Sequence, residues 1–135
     1  MGDFTELRVW VKAKDLAVSI YRLTDKGLFS KDFGLRDQIR RASVSIPSNI
    51  AEGDELGTNK QSIRHFNISK GSAAEVMTQA IISYEIGYLE KTDFTFIIEE
   101  CRSISKMLNK LIQLRSTSLC ESPMDYPDLN LLPDT

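Results

Sequence analysis

Histidine is almost absent from this chain: His65 is the single one. A metal centre built on several imidazoles is therefore excluded, and so is a histidine network for acid–base work. Cysteine is nearly as scarce. Cys101 and Cys120 are 19 positions apart, with no C-x-x-C spacing. They make neither a disulfide framework nor a zinc motif, and they read as reduced thiols in a cytoplasmic protein. No apolar run approaches the roughly 20 residues that a membrane-spanning helix needs. The opening MGDFTELRVW lacks the basic start and apolar stretch of a secretory leader. Phosphate loops of the G-x-x-x-x-G-K-S/T kind, G-x-G-x-x-G turns, G-x-S-x-G elbows and H-E-x-x-H helices are all missing. The pairs Asp54–Glu55 and Glu99–Glu100 are adjacent in sequence. Neighbours on a helix point apart, so these are solvated faces rather than catalytic dyads. The reading is of a non-enzyme with no cofactor and no metal.

What is present is helical periodicity. Hydrophobic residues make up 41% and charged residues 27% of the chain, which is enough apolar material for one core. Leu7, Trp10, Ala13, Ala17, Ile20 and Tyr21 mark a first helix, with Gly27 as its C-cap. Ile39, Ser43, Ile46 and Ile50 share a face of a second, from about Leu35 to Leu56. Pro47 lies inside it and removes a backbone donor. The segment is thus either kinked or broken in two; apolar spacing that stays in phase across the proline favours the kink. Thr58 and Gln61 form a capping box. Ile63, Phe66, Ala73, Val76, Met77, Ala80, Ile81 and Tyr84 then mark a long third helix to about Tyr88. Gly71 within it suggests a close helix crossing. Phe94, Ile97, Ile98, Cys101, Ile104, Leu108, Leu111 and Ile112 make the clearest stripe, with Thr92 or Asp93 as its cap. No β-type alternation occurs. The expectation is all-α: an antiparallel up-down-up-down four-helix bundle over residues 1–118, with a Pro-containing second helix. A Pro-rich, acidic, non-helical tail follows over 119–135.

Charge divides along the same boundary. Residues 119–135 hold Glu121, Asp125, Asp128 and Asp134 with no Lys or Arg. The other 118 residues carry 17 basic and 15 acidic side chains, so the bundle is slightly positive although the whole chain is at −2. That is not the strong basicity of a dedicated nucleic-acid binder. Arg36 and Arg40 are four apart, on one helix face. Arg41, Lys60 and Arg64 join them if the second and third helices are neighbours. These five are the candidates for phosphate contact; a solvated face paired with Glu52 or Glu75 is the plainer reading. The small and polar residues Ala42, Ser43, Ser45, Ser48 and Asn49 around Pro47 read as a polar seam that fixes helix register.

The order of these features is specific. Phe4-x-x-Leu7-x-Val9-Trp10-x-Lys12-Ala13 comes first. Gln38-Ile39-Arg40-Arg41-Ala42-Ser43-x-Ser45-Ile46-Pro47-Ser48-Asn49-Ile50-Ala51-Glu52-Gly53 follows, then Gly71-Ser72-Ala73-x-Glu75. Together they resemble the bacterial four-helix-bundle family encoded in intervening sequences of 23S ribosomal RNA genes. The resemblance covers about residues 4–115. It implies a closed bundle that forms homo-oligomers, with pentameric rings the expected form. The family is also similar to the accessory variability proteins of diversity-generating retroelements, basic pentamers that bind nucleic acid and a reverse transcriptase. By that analogy alone, RNA or DNA and a reverse transcriptase are candidate partners. The sequence pI near 5.4 departs from those basic relatives. Within this frame Trp10, Ala42, Ser45, Pro47, Asn49, Glu52 and Gly71 are the packing or assembly candidates. The alternative is a protein-interaction adaptor that docks through its leucine-containing tail and touches no nucleic acid.

Overall fold

The computed structural model describes residues 3–56 and 58–120, the last three of them by backbone alone. Its four helices are α1 (Arg8–Leu23), α2 (Phe33–Glu55), α3 (Asn59–Glu85) and α4 (Lys91–Cys120). Short 3-10 turns at Phe4–Glu6 and Phe29–Lys31 precede α1 and α2. Each helix packs on the next, and α4 closes against α1. The result is the antiparallel four-helix bundle that the periodicity predicts; the tail, residues 121–135, lies outside the described residues. α4 itself runs to Cys120, two positions past the expected boundary.

One core fills the centre. Leu16 and Ile20 from α1, Ile39, Ile46 and Ile50 from α2, Phe66 and Val76 from α3, and Ile97, Ile104, Leu108 and Ile112 from α4 are all under 2% exposed. Each such side chain contributes about 1.5–3 kcal/mol by leaving water. Phe29, on the turn before α2, closes one end and tilts against Tyr88 at 5.3 Å between ring centroids. Tyr84 stacks on Phe94 at 4.4 Å, which joins the end of α3 to the start of α4.

Asp32 controls that same end. Its Oδ1 accepts from the Leu35 amide at 3.1 Å and so caps α2. Its Oδ2 accepts from the Tyr88 hydroxyl at 3.0 Å. The carboxylate bond holds the Tyr88 phenol above its ordinary pKa. Gly87, at φ +88°, ends α3. The Gly87 amide bonds the Tyr84 carbonyl at 3.1 Å and the Tyr88 amide bonds the Ser83 carbonyl at 2.8 Å, a Schellman pairing that needs a left-handed residue.

Three local expectations change, and the continuous second helix is kept. α1 stops at Leu23 with Thr24 as its C-cap, whose hydroxyl bonds the Ile20 carbonyl at 2.7 Å; Gly27, left-handed at φ +55°, belongs to the following turn. α2 runs unbroken through the buried Pro47, which rules out two separate helices. α4 starts at Lys91, so Thr92 and Asp93 lie within its first turn rather than at the cap. Gly71 is exposed, and a Cβ placed there meets nothing within 4 Å, so it marks no crossing inside the bundle.

The close approach is at Gly53 instead. A Cβ there would lie 2.7 Å from Phe66 Cε1 and 3.2 Å from the Ser62 carbonyl. Phe66 is fully buried and has little room to yield. Gly53→Ala is expected to destabilise the fold by about 1–3 kcal/mol through overpacking. Equilibrium urea unfolding checks this, and unchanged stability would mean that Phe66 moves freely.

Candidate functional site

The contact between α2 and α3 is polar to an unusual degree. Ser69 Oγ, fully buried, donates to the Ile46 carbonyl at 2.8 Å, immediately before Pro47. Ser72 Oγ donates to Ser45 Oγ at 2.8 Å. Asn49 Nδ2 donates to the Ser45 carbonyl at 2.9 Å and to its hydroxyl at 3.1 Å. Asn49 Oδ1 meets His65 Nδ1 at 2.9 Å, and Glu52 Oε1 lies 3.4 Å from the same nitrogen. Ala42 is buried and lets the helices approach. Ser45, Asn49 and Pro47 thus serve packing within one chain, and the polar seam read from the sequence is present. Glu52 pairs with His65, not with Arg40 or Arg41.

The seam ends in a knot that the sequence reading missed. Ser62 Oγ donates to the Gly53 carbonyl at 2.6 Å. Arg115 from α4 donates to Ser62 Oγ at 2.9 Å, lies 3.7 Å from Asp54 and covers the Phe66 ring at 5.6 Å. The only signal was a glycine two residues before the end of an apolar-patterned helix. Arg115→Ala removes the ion pair and leaves Asp54, 14% exposed, without its cation. The expected loss is about 1–3 kcal/mol in thermal unfolding, whereas Arg41→Ala changes stability by less than about 0.5 kcal/mol. Equal effects would refute the distinction.

The five basic candidates separate into two groups. Arg36 donates to the Ser30 carbonyl at 3.1 Å, pairs with Asp37 at 3.3 Å and lies over Phe33. Arg40 donates to Thr24 Oγ1 at 2.8 Å and to the Tyr21 carbonyl at 3.3 Å, and it covers the Tyr21 ring. Both guanidinium groups bind the bundle itself. Arg41 is exposed beside them and makes no ion pair or hydrogen bond among the described residues. Lys60 and Arg64 are exposed at the opposite end of the antiparallel pair. His65 faces Asn49, so Arg64 stands at a level about 12–14 Å along α2 from Arg41. The five do not form one patch. Trp10 is half-buried at the other side of the fold, edge-on to Phe4 at 5.3 Å.

Outside the seam, α3 and its C-cap leave three isoleucines exposed on one face, with Ile68 about 21 Å along the helix from the pair Ile82 and Ile86. Ile68, Ile82 and Ile86 are 41%, 45% and 52% exposed. At 3.6 residues per turn they fall on one face, together with Glu75 and near Gly71. An open cleft of about 400 Å³ runs alongside, lined by Gln38, Arg41, Ala42, Ser45, Glu75 and Gln79. Gln79 Nε2 reaches Gln38 at 3.4 Å, but Gln79 Oε1 is buried without a donor. An unsatisfied buried amide oxygen is uncommon and calls for a partner.

Among the described residues, no three His, Cys, Asp or Glu side chains converge as metal ligands. Cys101 is fully buried, and burial, with Glu100 beside it, pushes its thiol up to about 12. A thiol this protonated is a poor nucleophile. In the folded chain Cys101 is expected to resist iodoacetamide near neutral pH and to react after unfolding, read by mass spectrometry. An unfolded thiol ionises near 9.0, so the unfolded state binds fewer protons between about 9 and 12 and stability falls as pH rises through that window.

The comparisons with known proteins agree with this architecture. A crystal structure described as a protein with unknown function from the S23 ribosomal protein family, from Bacteroides thetaiotaomicron, is similar at TM-score 0.71 and 25% identity. The match covers 77% of this chain and 97% of that one. Among curated proteins none matches. The family model described as 23S rRNA-intervening sequence protein matches residues 5–110, so the chain, with its four antiparallel helices and its Ser-Ile-Pro-Ser-Asn motif at the α2–α3 contact, belongs to that family.

Proposed function

We propose that this chain is a non-enzymatic helical scaffold that assembles with copies of itself through the outer face of α2 and α3. The supporting observation is the exposure of Ile68 and of the pair Ile82 and Ile86 on one face, with Gly71 open between them. Apolar side chains aligned on one exposed face mark an interaction surface more often than isolated ones do. The missing Cβ at Gly71 lets a second backbone come close. The cleft beside it supplies polar specificity, because Gln79 Oε1 lacks a donor. A pentameric ring is the size that the family resemblance implies.

Arg41 and Arg64 border this face, so an assembly repeats them around one surface. RNA or DNA is the polyanion such a repeat would take, through many weak phosphate contacts acting together. Arg36 and Arg40 serve this less well, since their guanidinium groups are already bonded within the chain.

Light scattering behind size exclusion tests both parts. The expected mass is near five times the 15.3 kDa chain. Ile82→Glu and Gly71→Arg should each lower it while helical circular dichroism persists; the second even improves helix propensity by up to about 1 kcal/mol. A wild-type monomer overturns the scaffold reading. Added mixed-sequence RNA should shift the assembly at about 50 mM salt and lose affinity by about 200 mM, less so for Arg41→Glu with Arg64→Glu. An oligomer indifferent to RNA leaves the adaptor reading in its place.

A further inference from the structure

The second half of α4 has a one-sided charge. From Cys101 to Cys120 it carries Arg102, Lys106, Lys110 and Arg115 and no acidic residue. Arg115 turns inward to Asp54 and Ser62. Arg102, Lys106 and Lys110 repeat every four residues on the outer face, all exposed and without an ion pair among the described residues. A shallow hollow of about 480 Å³ lies on this face, between Ser103, Lys106, Met107, Asn109, Lys110 and Gln113. Asn109 Oδ1, beside it, is buried and has no hydrogen-bond donor. Carboxylates three or four residues away are the natural helical partners of cations; Glu99 stands in that position to Arg102, whereas Lys106 and Lys110 have none.

The complementary charge comes next in the sequence. The fifteen residues after Cys120 hold Glu121, Asp125, Asp128 and Asp134, no basic residue, and the apolar Met124, Tyr126, Leu129, Leu131 and Leu132. Pro123, Pro127 and Pro133 lie among them, and proline is poorly tolerated in a helix interior. We infer that this acidic segment folds back on its own α4 and covers the Arg102–Lys106–Lys110 face. Length permits it: fifteen extended residues reach about 46 Å at about 3.1 Å each, and Arg102 lies about 27 Å along the helix from Cys120. Carboxylates then neutralise the lysines, leucines and Met124 cover Met107, and an extended backbone amide supplies the donor that Asn109 Oδ1 lacks. The tail thereby occupies a face that would otherwise attract a polyanion, which makes it an internal competitor for that face. Docking in cis needs no second copy, so it holds whether or not chains assemble.

Amine footprinting of the full chain tests this. Lys106 and Lys110 should acetylate several-fold more slowly in the wild type than in a variant carrying Glu121→Gln, Asp125→Asn, Asp128→Asn and Asp134→Asn. Lys26 and Lys31, exposed at the end of the bundle where α2 begins, should keep their rates. The contrast should shrink at about 1 M salt, where screening acts over about 3 Å. Amides of residues 124–132 should exchange more slowly in the wild type than in the variant. Equal lysine rates in the two proteins, or equal tail exchange, overturn the inference. Protection that disappears on dilution overturns it too, since the covering segment would then belong to another copy.

Discussion

The register between α2 and α3 governs the rest of this fold, and a few buried hydroxyls set it. Isoleucines alone would let the two helices slide, because apolar contact is nearly indifferent to a shift of one turn. A serine hydroxyl is not indifferent: moved 5.4 Å, Ser69 Oγ would lose the Ile46 carbonyl and remain buried without a partner. Ser72 on Ser45, Asn49 on His65 and Ser62 on Gly53 impose the same condition at four successive levels. Each bond contributes only about 0.5–1.5 kcal/mol net, but leaving the group unpaired costs about 1–3 kcal/mol. The seam therefore acts mainly by penalising every other alignment.

Pro47 makes sense in this setting. A proline in a helix interior is unfavourable by about 3 kcal/mol in isolation. Here it is buried against α3, and hydroxyls from that helix bond the Ile46 carbonyl and the Ser45 side chain on its N-terminal side. The carbonyl that loses its helical donor is that of Ser43, one turn earlier; the α3 hydroxyls do not replace that bond but fix α3 against α2 beside the proline. α2 continues through the proline with Ile46 and Ile50 on either side of it fully buried, so core packing offsets the lost bond.

The four helices and most of the core were legible in the sequence, because strong 3.6-residue stripes such as Ile97 to Ile112 have one structural meaning. The polar seam was legible for a related reason: Ser43 to Asn49 is too polar for a buried face unless a partner answers it. Glycines were not. Gly53 and Gly71 both interrupt helices, and nothing local distinguishes the one against Phe66 from the one facing solvent. Arginines failed similarly. Spacing placed Arg36 and Arg40 on one face, but their engagement with the Ser30 and Tyr21 carbonyls depends on where α1 and its following turn come to rest. Arg115 belonged to a cationic helix end in sequence and to a buried knot in space.

Asp32 touches both connections at one end of the bundle, since it caps the helix that follows the α1–α2 turn and holds Tyr88 in the turn between α3 and α4. Two chain segments 56 positions apart are thus latched by one carboxylate. Loosening either turn releases the other, so the four helix termini gathered there form one cooperative opening unit rather than two fraying hairpins. The opposite end, where α2 passes into α3, is held through Arg115 and Ser62 and opens on separate terms. The two ends of the bundle are thus fastened by different groups, one by a shared carboxylate and the other by a guanidinium.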